Sequence, residues 1–329
     1  AQNIKNAASA GALVVKRLQA DTRLALTGTP MENGVGELWS IFDFVLPGFF
    51  PPFTTFMRRY GTGDSDEGLR RKIRPFLLRR LKREVMAELP EKIETRLTAP
   101  MTGEQQLVYR AAMVRLRDRV NQVVAEKGMN RGRMDVLAAM TELRQVCCHP
   151  ALLLPDYEGS SGKLELLMDM LPTALENGRR VLLFSQFTSM LKLIRKRLER
   201  HQISALYLDG ATPAQERTQQ VERFNGGEGD VFLISLKAGG TGLNLTGADM
   251  VIHYDPWWNP AAEDQATDRA HRIGQEKRVE VIRLVTHQSI EEQVVELGER
   301  KRKLFDQLIT PGDELVTALT EQDIRMIFS

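Results

Sequence analysis

The stretch QATDRAHRIGQ, residues 265–275, is the first place where residue type and spacing could do chemistry. On a helix, Gln265, Arg269 and Arg272 stand four and three residues apart and share one face. Two guanidinium forks beside an amide make a planar, multidentate site for an anion such as a phosphoryl group. The same residues with Glu263 and Asp264 as partners also describe an ordinary ion-paired surface. The surrounding stretches weigh between the two readings.

The stretch SLKAGGTGLNL, residues 235–245, directly follows an apolar run. Gly239, Gly240 and Gly242 permit positive φ and close backbone approach, so the loop can turn amide groups toward a phosphate. A tight turn alone would explain the glycines; Lys237, Ser235 and Thr241 beside them favour a phosphate-contacting loop. In HYDPWWNP, residues 253–260, Trp257 and Trp258 sit in a loop between prolines. They read either as a packing plug or as a stacking surface for nucleic acid. Residues 70–83 hold eight Lys or Arg and no acid, which is a solvated helix face or a patch for backbone phosphates.

Other stretches carry no such site. Cys147, Cys148 and His149 are adjacent, so their side chains diverge and cannot close a tetrahedral metal site. His201, His253 and His287 are read as isolated histidines rather than metal ligands. GSSGKL, residues 159–164, resembles a nucleotide P-loop but has Tyr157 where the first glycine belongs and Leu164 in place of the magnesium-binding hydroxyl. No Walker A loop is present, and no metal site is expected.

The elements that must position these residues follow from pattern and punctuation. Apolar runs at 181–187, 204–208, 231–235, 250–254 and 279–285 alternate with helical patterns at 188–200, 213–224 and 289–308. Strands alternating with helices predict an α/β domain with a parallel sheet covered on both faces. Ligands then sit beyond the carboxyl ends of the strands, where the stretches above lie. The earlier half is more basic and helical. Residues 24–26 read as a buried strand, 37–45 as a helix, 49–66 as a loop-rich insertion, and 104–126 and 134–147 as helices separated around the glycines of 128–132.

The chain has 329 residues, 42% hydrophobic and 27% charged, with a net charge of +2. That is an ordinary globular composition with room for two or three cores. It excludes a wholly disordered chain, and no apolar run reaches the roughly 20 residues of a membrane helix. The first residues lack the order of a signal peptide and an initiator Met, so the chain reads as a piece of something longer. The absence of spaced cysteines fits a reducing compartment.

With these stretches assembled, the chain resembles the Swi/Snf family of ATP-dependent DNA translocases in helicase superfamily two. TGTPMEN (27–33) is similar to the family's motif III, VLLFSQF (181–187) to motif IV, and YLDGATP (207–213) to the motif after it. SLKAGGTGLNL is similar to motif V and DQATDRAHRIGQ (264–275) to motif VI; LRQVCCHPALL (143–153) and SGKLELL (161–167) are also family stretches. DPWWNP together with DRAHRIGQ is the most specific combination. The opening Ala1-Gln2-Asn3-Ile4-Lys5-Asn6 is similar to the residues that follow the Asp-Glu pair of motif II.

The resemblance implies a RecA-like, P-loop NTPase-type parallel sheet flanked by helices, with helical protrusion subdomains. It divides the chain into a remnant of lobe 1 (1–50), a first protrusion and linker (51–95), a second protrusion (96–155), lobe 2 (156–310) and a tail (311–329). Arg269 and Arg272 would be arginine fingers, with Gln265 on the phosphate or the attacking water. Gly240, Gly242 and Asn244 would lie against the nucleotide. Thr27, Gly28 and Thr29 would couple nucleotide state to DNA contact. Ser185, Gln186, Gly210, Thr212, Ser235, Lys237, Thr241, Trp257 and Trp258 would line the DNA path. ATP and Mg²⁺ would be held mainly by the first lobe, upstream of residue 1. The partners would be double-stranded DNA, that upstream lobe and DNA-bound proteins, not a membrane. The location would be the nucleoid of a prokaryotic cytoplasm or a eukaryotic nucleus. The piece alone would not hydrolyse ATP; a non-catalytic DNA- or partner-binding module is the competing reading. An RNA-directed helicase of the same superfamily fits DPWWNP and the helical insertion less well.

Overall fold

The computed structural model describes residues 1–27, 35–61, 67–78, 89–239, 242–257, 260–296 and 298–299. They form two compact units, one of residues within 1–85 together with Glu299 and one within 86–298.

The first unit contains α1 (Ala10–Lys16), α2 (Val35–Val45), α3 (Phe53–Tyr60) and α4 (Glu67–Ile73). The Ser9 hydroxyl caps α1 by accepting from the Ala12 amide at 3.2 Å. The small core joins Leu38, Phe42, Phe56, Tyr60, Leu69 and Ile73, with Phe49 and Phe50 against the Phe42 ring. Ser40 Oγ donates to the Ile4 carbonyl at 2.6 Å and ties the opening segment to α2.

Two expectations change here. The stretch 49–66 is not simply loop: Pro52 stops the chain ahead of α3, and Phe56 and Tyr60, four residues apart, bury one helix face. Residues 24–26 do not form a buried strand. Leu24 and Leu26 are 81% and 86% exposed. A parallel strand exists only beside ladder partners, and the described residues of this unit contain none. Of the basic run, Arg71, Lys72 and Arg74 are exposed, and residues 79–83 lie outside the described residues.

The second unit is built on six parallel strands: β1 (Lys92–Ala99), β2 (Val181–Ser185), β3 (Ala205–Leu208), β4 (Val231–Ser235), β5 (Met250–His253) and β6 (Val279–Thr286). Their order is β1-β6-β5-β2-β4-β3, with Val181 facing Val231 on one side and Met250 on the other. The expected α/β parallel sheet is therefore present. Val181, Leu183, Val231 and Leu233 pack on one face with Leu167, Leu171, Ile194 and Leu198. Leu182, Phe184, Phe232 and Ile234 pack on the other with Phe224, Leu245 and Ala266. Burial on both faces is why these strands read as unbroken apolar runs.

Strand β1 was not anticipated. It pairs with β6 from Lys92 opposite Val279 to Ala99 opposite Thr286, and it straddles the 95/96 division of the sequence reading. After it comes α5 (Gly103–Cys148), opened by a Thr102–Gln105 capping box and broken at Gly128, where φ is 69° and ψ is 163°. The break falls within the expected gap. It folds the helix into an antiparallel hairpin, since Arg115 reaches Glu142 at 2.9 Å and Arg119 reaches Asp135 at 3.6 Å. The sheet is covered by α6 (Gly162–Glu176), α7 (Thr188–Arg200) and α8 (Ala214–Asn225). Residues 290–296 are helical, and the remainder of the expected 289–308 helix lies largely outside the described residues.

Gln105 knits this region together. Its Nε2 donates to the Val146 carbonyl at 2.9 Å and its Oε1 accepts from the Gly162 amide at 3.0 Å. Gly162 lies so close that a Cβ there would stand 1.7 Å from the Pro100 carbonyl oxygen. Backbone cannot yield as a flexible side-chain tip does. Gly162→Ala should therefore cost at least about 2 kcal/mol through overpacking. The urea midpoint of the purified chain reads this, and an unchanged midpoint would show that the two segments are free to separate.

Candidate functional site

The carboxyl ends of β5, β2, β4 and β3 are neighbours in the sheet, so the loops that follow them form one row. The structure brings Asp255–Trp257, Ser185–Gln186, Ser235–Lys237 and Asp209–Thr212 to that row in this order. Their side chains divide into two sets.

One set is committed to the protein. Ser185 is buried, and its hydroxyl donates to Asp255 Oδ1. The Gln186 amide donates to the other Asp255 oxygen at 3.2 Å. Ser235 is buried and accepts from the Ala238 amide at 3.4 Å. Thr212 Oγ1 accepts from the Asp209 amide at 3.1 Å, shaping the turn that presents Gly210. These groups hold the loops in shape. The other set faces outward: Lys237 on the short helix α9 (Leu236–Gly239), Gly210, Gly242 and Asn244 are exposed. Gly240, Thr241 and Trp258 lie outside the described residues, as do Gly28 and Thr29; Thr27 is half-buried in the first unit.

The arginines are placed differently from the sequence expectation. Helix α10 (Pro260–Thr267) carries Gln265 on an exposed position and ends before Arg269. Arg269 and Arg272 therefore lie on successive turns rather than on the Gln265 helix face. The cause is tertiary. Gln275 Nε2 donates to the carbonyls of Thr246, Ala248 and Ala270 at 3.1, 2.7 and 3.1 Å, folding the chain back. The Leu245 amide donates to the Arg269 carbonyl at 2.9 Å and joins this turn to the end of the glycine-rich loop. Arg269 is 9% exposed while Arg272 is open to solvent. Burial, with the like charge of Arg272 adding to it, draws the Arg269 guanidinium below the usual arginine range. Two cations held close favour an incoming polyanion.

The Trp257 loop is anchored on both sides. Its amide donates to Glu263 Oε1 at 2.7 Å. Arg283 on β6 holds Glu263 at 2.9 Å and Glu94 at 2.6 Å. Burial would raise the Glu94 carboxyl, but hydrogen bonds from Lys92 and Arg283 overcome it and hold the group at about 2. On the other side Arg144, near the end of α5, reaches Gln186 Oε1 at 3.1 Å and the Pro256 carbonyl.

Beneath the row lies a fully buried pair. Lys163 Nζ donates to both Glu291 oxygens, at 2.7 and 2.9 Å, and to the Tyr254 carbonyl at 3.0 Å. Burial opposes the ammonium charge, and the carboxylates of Glu291 and Asp255 more than reverse that effect. Sequence reasoning missed Arg144, Lys163, Asp255 and Glu291. Asp255 adjoins the tryptophan pair, so its place after a strand was a usable signal; nothing in the sequence paired Lys163 with Glu291. Cys147 and Cys148 are buried free thiols. Among the described residues, no three His, Cys, Asp or Glu are grouped to hold a metal, and no helix is long and apolar enough to cross a membrane.

Two imidazoles give the unit an acid limit. Burial lowers His149 to about 4, and burial with nearby Arg283 lowers His253 to about 3, from 6.5. Above pH 6.5 both are neutral in folded and unfolded chains. Below it the unfolded chain takes up protons that the folded chain refuses until near pH 4 and pH 3, so stability falls as pH falls. The fully enclosed His253 should remove about 2 kcal/mol by pH 5, and the less enclosed His149 a smaller amount because solvent screens it. Urea midpoints at pH 7.5 and 5 measure the loss, and equal midpoints would mean that these rings accept protons in the folded state.

The comparisons with known proteins agree with this geometry. A family model described as the SNF2-related domain matches residues 1–152, and one described as the helicase conserved C-terminal domain matches 162–274. The chain is 40% identical over 344 residues to YwqA of Bacillus subtilis, whose name proposes an ATP-dependent helicase or translocase; all of this chain and 37% of that protein are covered. The chain spans about a third of the length of the curated relatives it matches. Among solved structures it is similar to the SWI2/SNF2 ATPase core of Sulfolobus solfataricus in complex with dsDNA, with TM-score 0.61, 36% identity, and 99% of this chain and 70% of that one covered. It is also similar to the C-terminal domain of that ATPase, with TM-score 0.58, 32% identity, and 72% of this chain and 98% of that one covered. The parallel sheet is thus the RecA-like fold of these ATPase cores, and the chain belongs to the SWI2/SNF2 family of helicase-like ATPases.

Proposed function

We propose that this chain is the second-lobe part of a DNA-stimulated ATPase that translocates on duplex DNA and remodels or displaces protein–DNA complexes. The observation that carries the reading is the row of strand-end loops with the arginine turn bonded to it. Lys237 and the Trp257 loop follow neighbouring strands of that row, and the Leu245 amide bonds the arginine turn to the end of the glycine-rich loop. The dsDNA complex of the Sulfolobus neighbour supports duplex DNA as the polymer.

In this reading Arg269 and Arg272 neutralise charge on the transferring phosphoryl group of ATP, and Gln265 orients phosphate or water at the same place. A guanidinium stays protonated and offers a rigid fork, which suits charge spread over equatorial oxygens. The exposed loop groups, Gly210 and Lys237 foremost, meet the phosphates of one DNA strand, with Trp257 and Trp258 beside them. Gly240, Gly242 and Asn244 approach the nucleotide, and Thr27, Gly28 and Thr29 relay its state. Contacts of this kind carry little base information, so movement is largely sequence-indifferent. Magnesium, which the family implies, finds no matching ligand cluster among the described residues. The chain carries no Walker A sequence, so by itself it binds DNA without turning over ATP. Its place is with DNA, in a nucleoid or a nucleus.

Two assays test this. Anisotropy of a labelled duplex with the purified chain should show binding that weakens linearly in log salt, as counterion release requires. The intact protein should hydrolyse ATP faster when duplex is added, while residues 1–329 alone remain near background. Turnover indifferent to duplex would leave only a partner-binding module.

A further inference from the structure

Arg144 belongs to no motif that the proposed reaction uses, yet it is the largest fully buried side chain among the described residues. It stands one turn from the end of α5, on the second arm of the helical hairpin. Its guanidinium spans two loops. Nη1 donates to Gln186 Oε1 at 3.1 Å, while Nη2 donates to the Pro256 carbonyl and lies 3.9 Å from Asp255 Oδ2. The Trp257 and Phe187 rings lie 5.5 and 5.9 Å from its centre. Gln186 Nε2 and Arg144 Nε are buried there without a hydrogen-bond partner, and the bond from Arg144 orients the Gln186 amide by its oxygen.

Burying a guanidinium is costly, and an apolar side chain would fasten a helix to a sheet more cheaply. What an arginine adds is a planar fork that binds several acceptors at once and stacks on rings. Here the acceptors come from the loops after β2 and β5, and the rings are Phe187 and Trp257. The geometry points to Arg144 as a positioning residue: it makes the helical hairpin, the Gln186 loop and the Asp255–Trp257 loop one rigid body. A force or contact on the hairpin then reaches the tryptophan loop directly. This rests on the proposed DNA path in one respect only, that Trp257 lies beside the duplex.

The test separates the two. In the purified chain carrying Trp39→Phe and Trp258→Phe, acrylamide quenching reports Trp257 alone. Arg144→Met should raise the quenching constant about twofold or more, and Arg144→Lys should restore it only in part, because an ammonium cannot hold both loops. Duplex affinity should fall about tenfold in Arg144→Met. Val136→Ala, a buried change elsewhere in the hairpin, controls for lost stability and should leave both readouts near the parent values. The inference is overturned if Arg144→Met leaves quenching unchanged, or if Val136→Ala moves it equally. Should Arg144→Met not fold, Arg144→Lys is read against the same control. A parent chain that binds no duplex at low salt would instead overturn the DNA reading, while the quenching contrast still decides the role of Arg144.

Discussion

The intact protein carrying Arg269→Ala and Arg272→Ala is expected to lose about 10³-fold or more of its duplex-stimulated ATP turnover. The magnitude follows from the task assigned to these side chains. Charge developing on the phosphoryl group in a water-poor cleft is stabilised by preformed cations, and alanine leaves nothing in their place. Because Arg269 is largely buried and Arg272 exposed, the single changes should differ. Arg269→Ala also disturbs packing and should lower the unfolding midpoint of the chain. Arg272→Ala should leave that midpoint unchanged and still reduce turnover strongly. Steady-state ATPase assays with and without duplex, beside urea melts of the same variants, measure both. If the double variant retained its duplex-stimulated rate, the finger assignment would fall and the arginine turn would be a structural feature alone.

The second large effect concerns folding. Lys163→Met should destabilise the second unit by about 3–5 kcal/mol, because it leaves the Glu291 carboxylate buried without its cation. Glu291 retains the Thr286 amide at 2.9 Å, which moderates the loss without replacing a charge. The reverse change, Glu291→Leu, strands the ammonium and should cost a similar amount. Together the two changes should cost less than either alone, since a buried pair exchanged for apolar groups is often near neutral. A double-mutant cycle by urea unfolding reads this directly. Additive losses would mean that water reaches the pair, against the complete burial of both side chains.

The central strands β2, β4 and β5 were legible because burial on both faces demands apolar residues at every position. The break in α5 was legible from the glycines of 128–132. The strand-end position of the candidate site followed from the parallel topology. Strand β1 was missed because it has no unbroken apolar run: Lys92–Ala99 places Ile93, Leu97 and Ala99 among charged residues and threonines, a weak alternation at a half-exposed sheet edge. Only its pairing with β6 makes it a strand. The helix assumed for Arg269 and Arg272 failed for a similar reason. Gln275 reaches carbonyls 27 and 29 residues away, and those bonds outweigh local helical preference. The sequence by itself determined the parallel α/β sheet, the strand ends where the candidate site was sought, and the family. The tertiary structure decided that Arg269 is packed and Arg272 open, and that Ser185 and Ser235 shape loops. It also joined Lys163 to Glu291 and Arg144 to the tryptophan loop. Apolar periodicity records only how each residue meets water, whereas buried polar groups take partners from whichever distant segment the fold brings within hydrogen-bond reach.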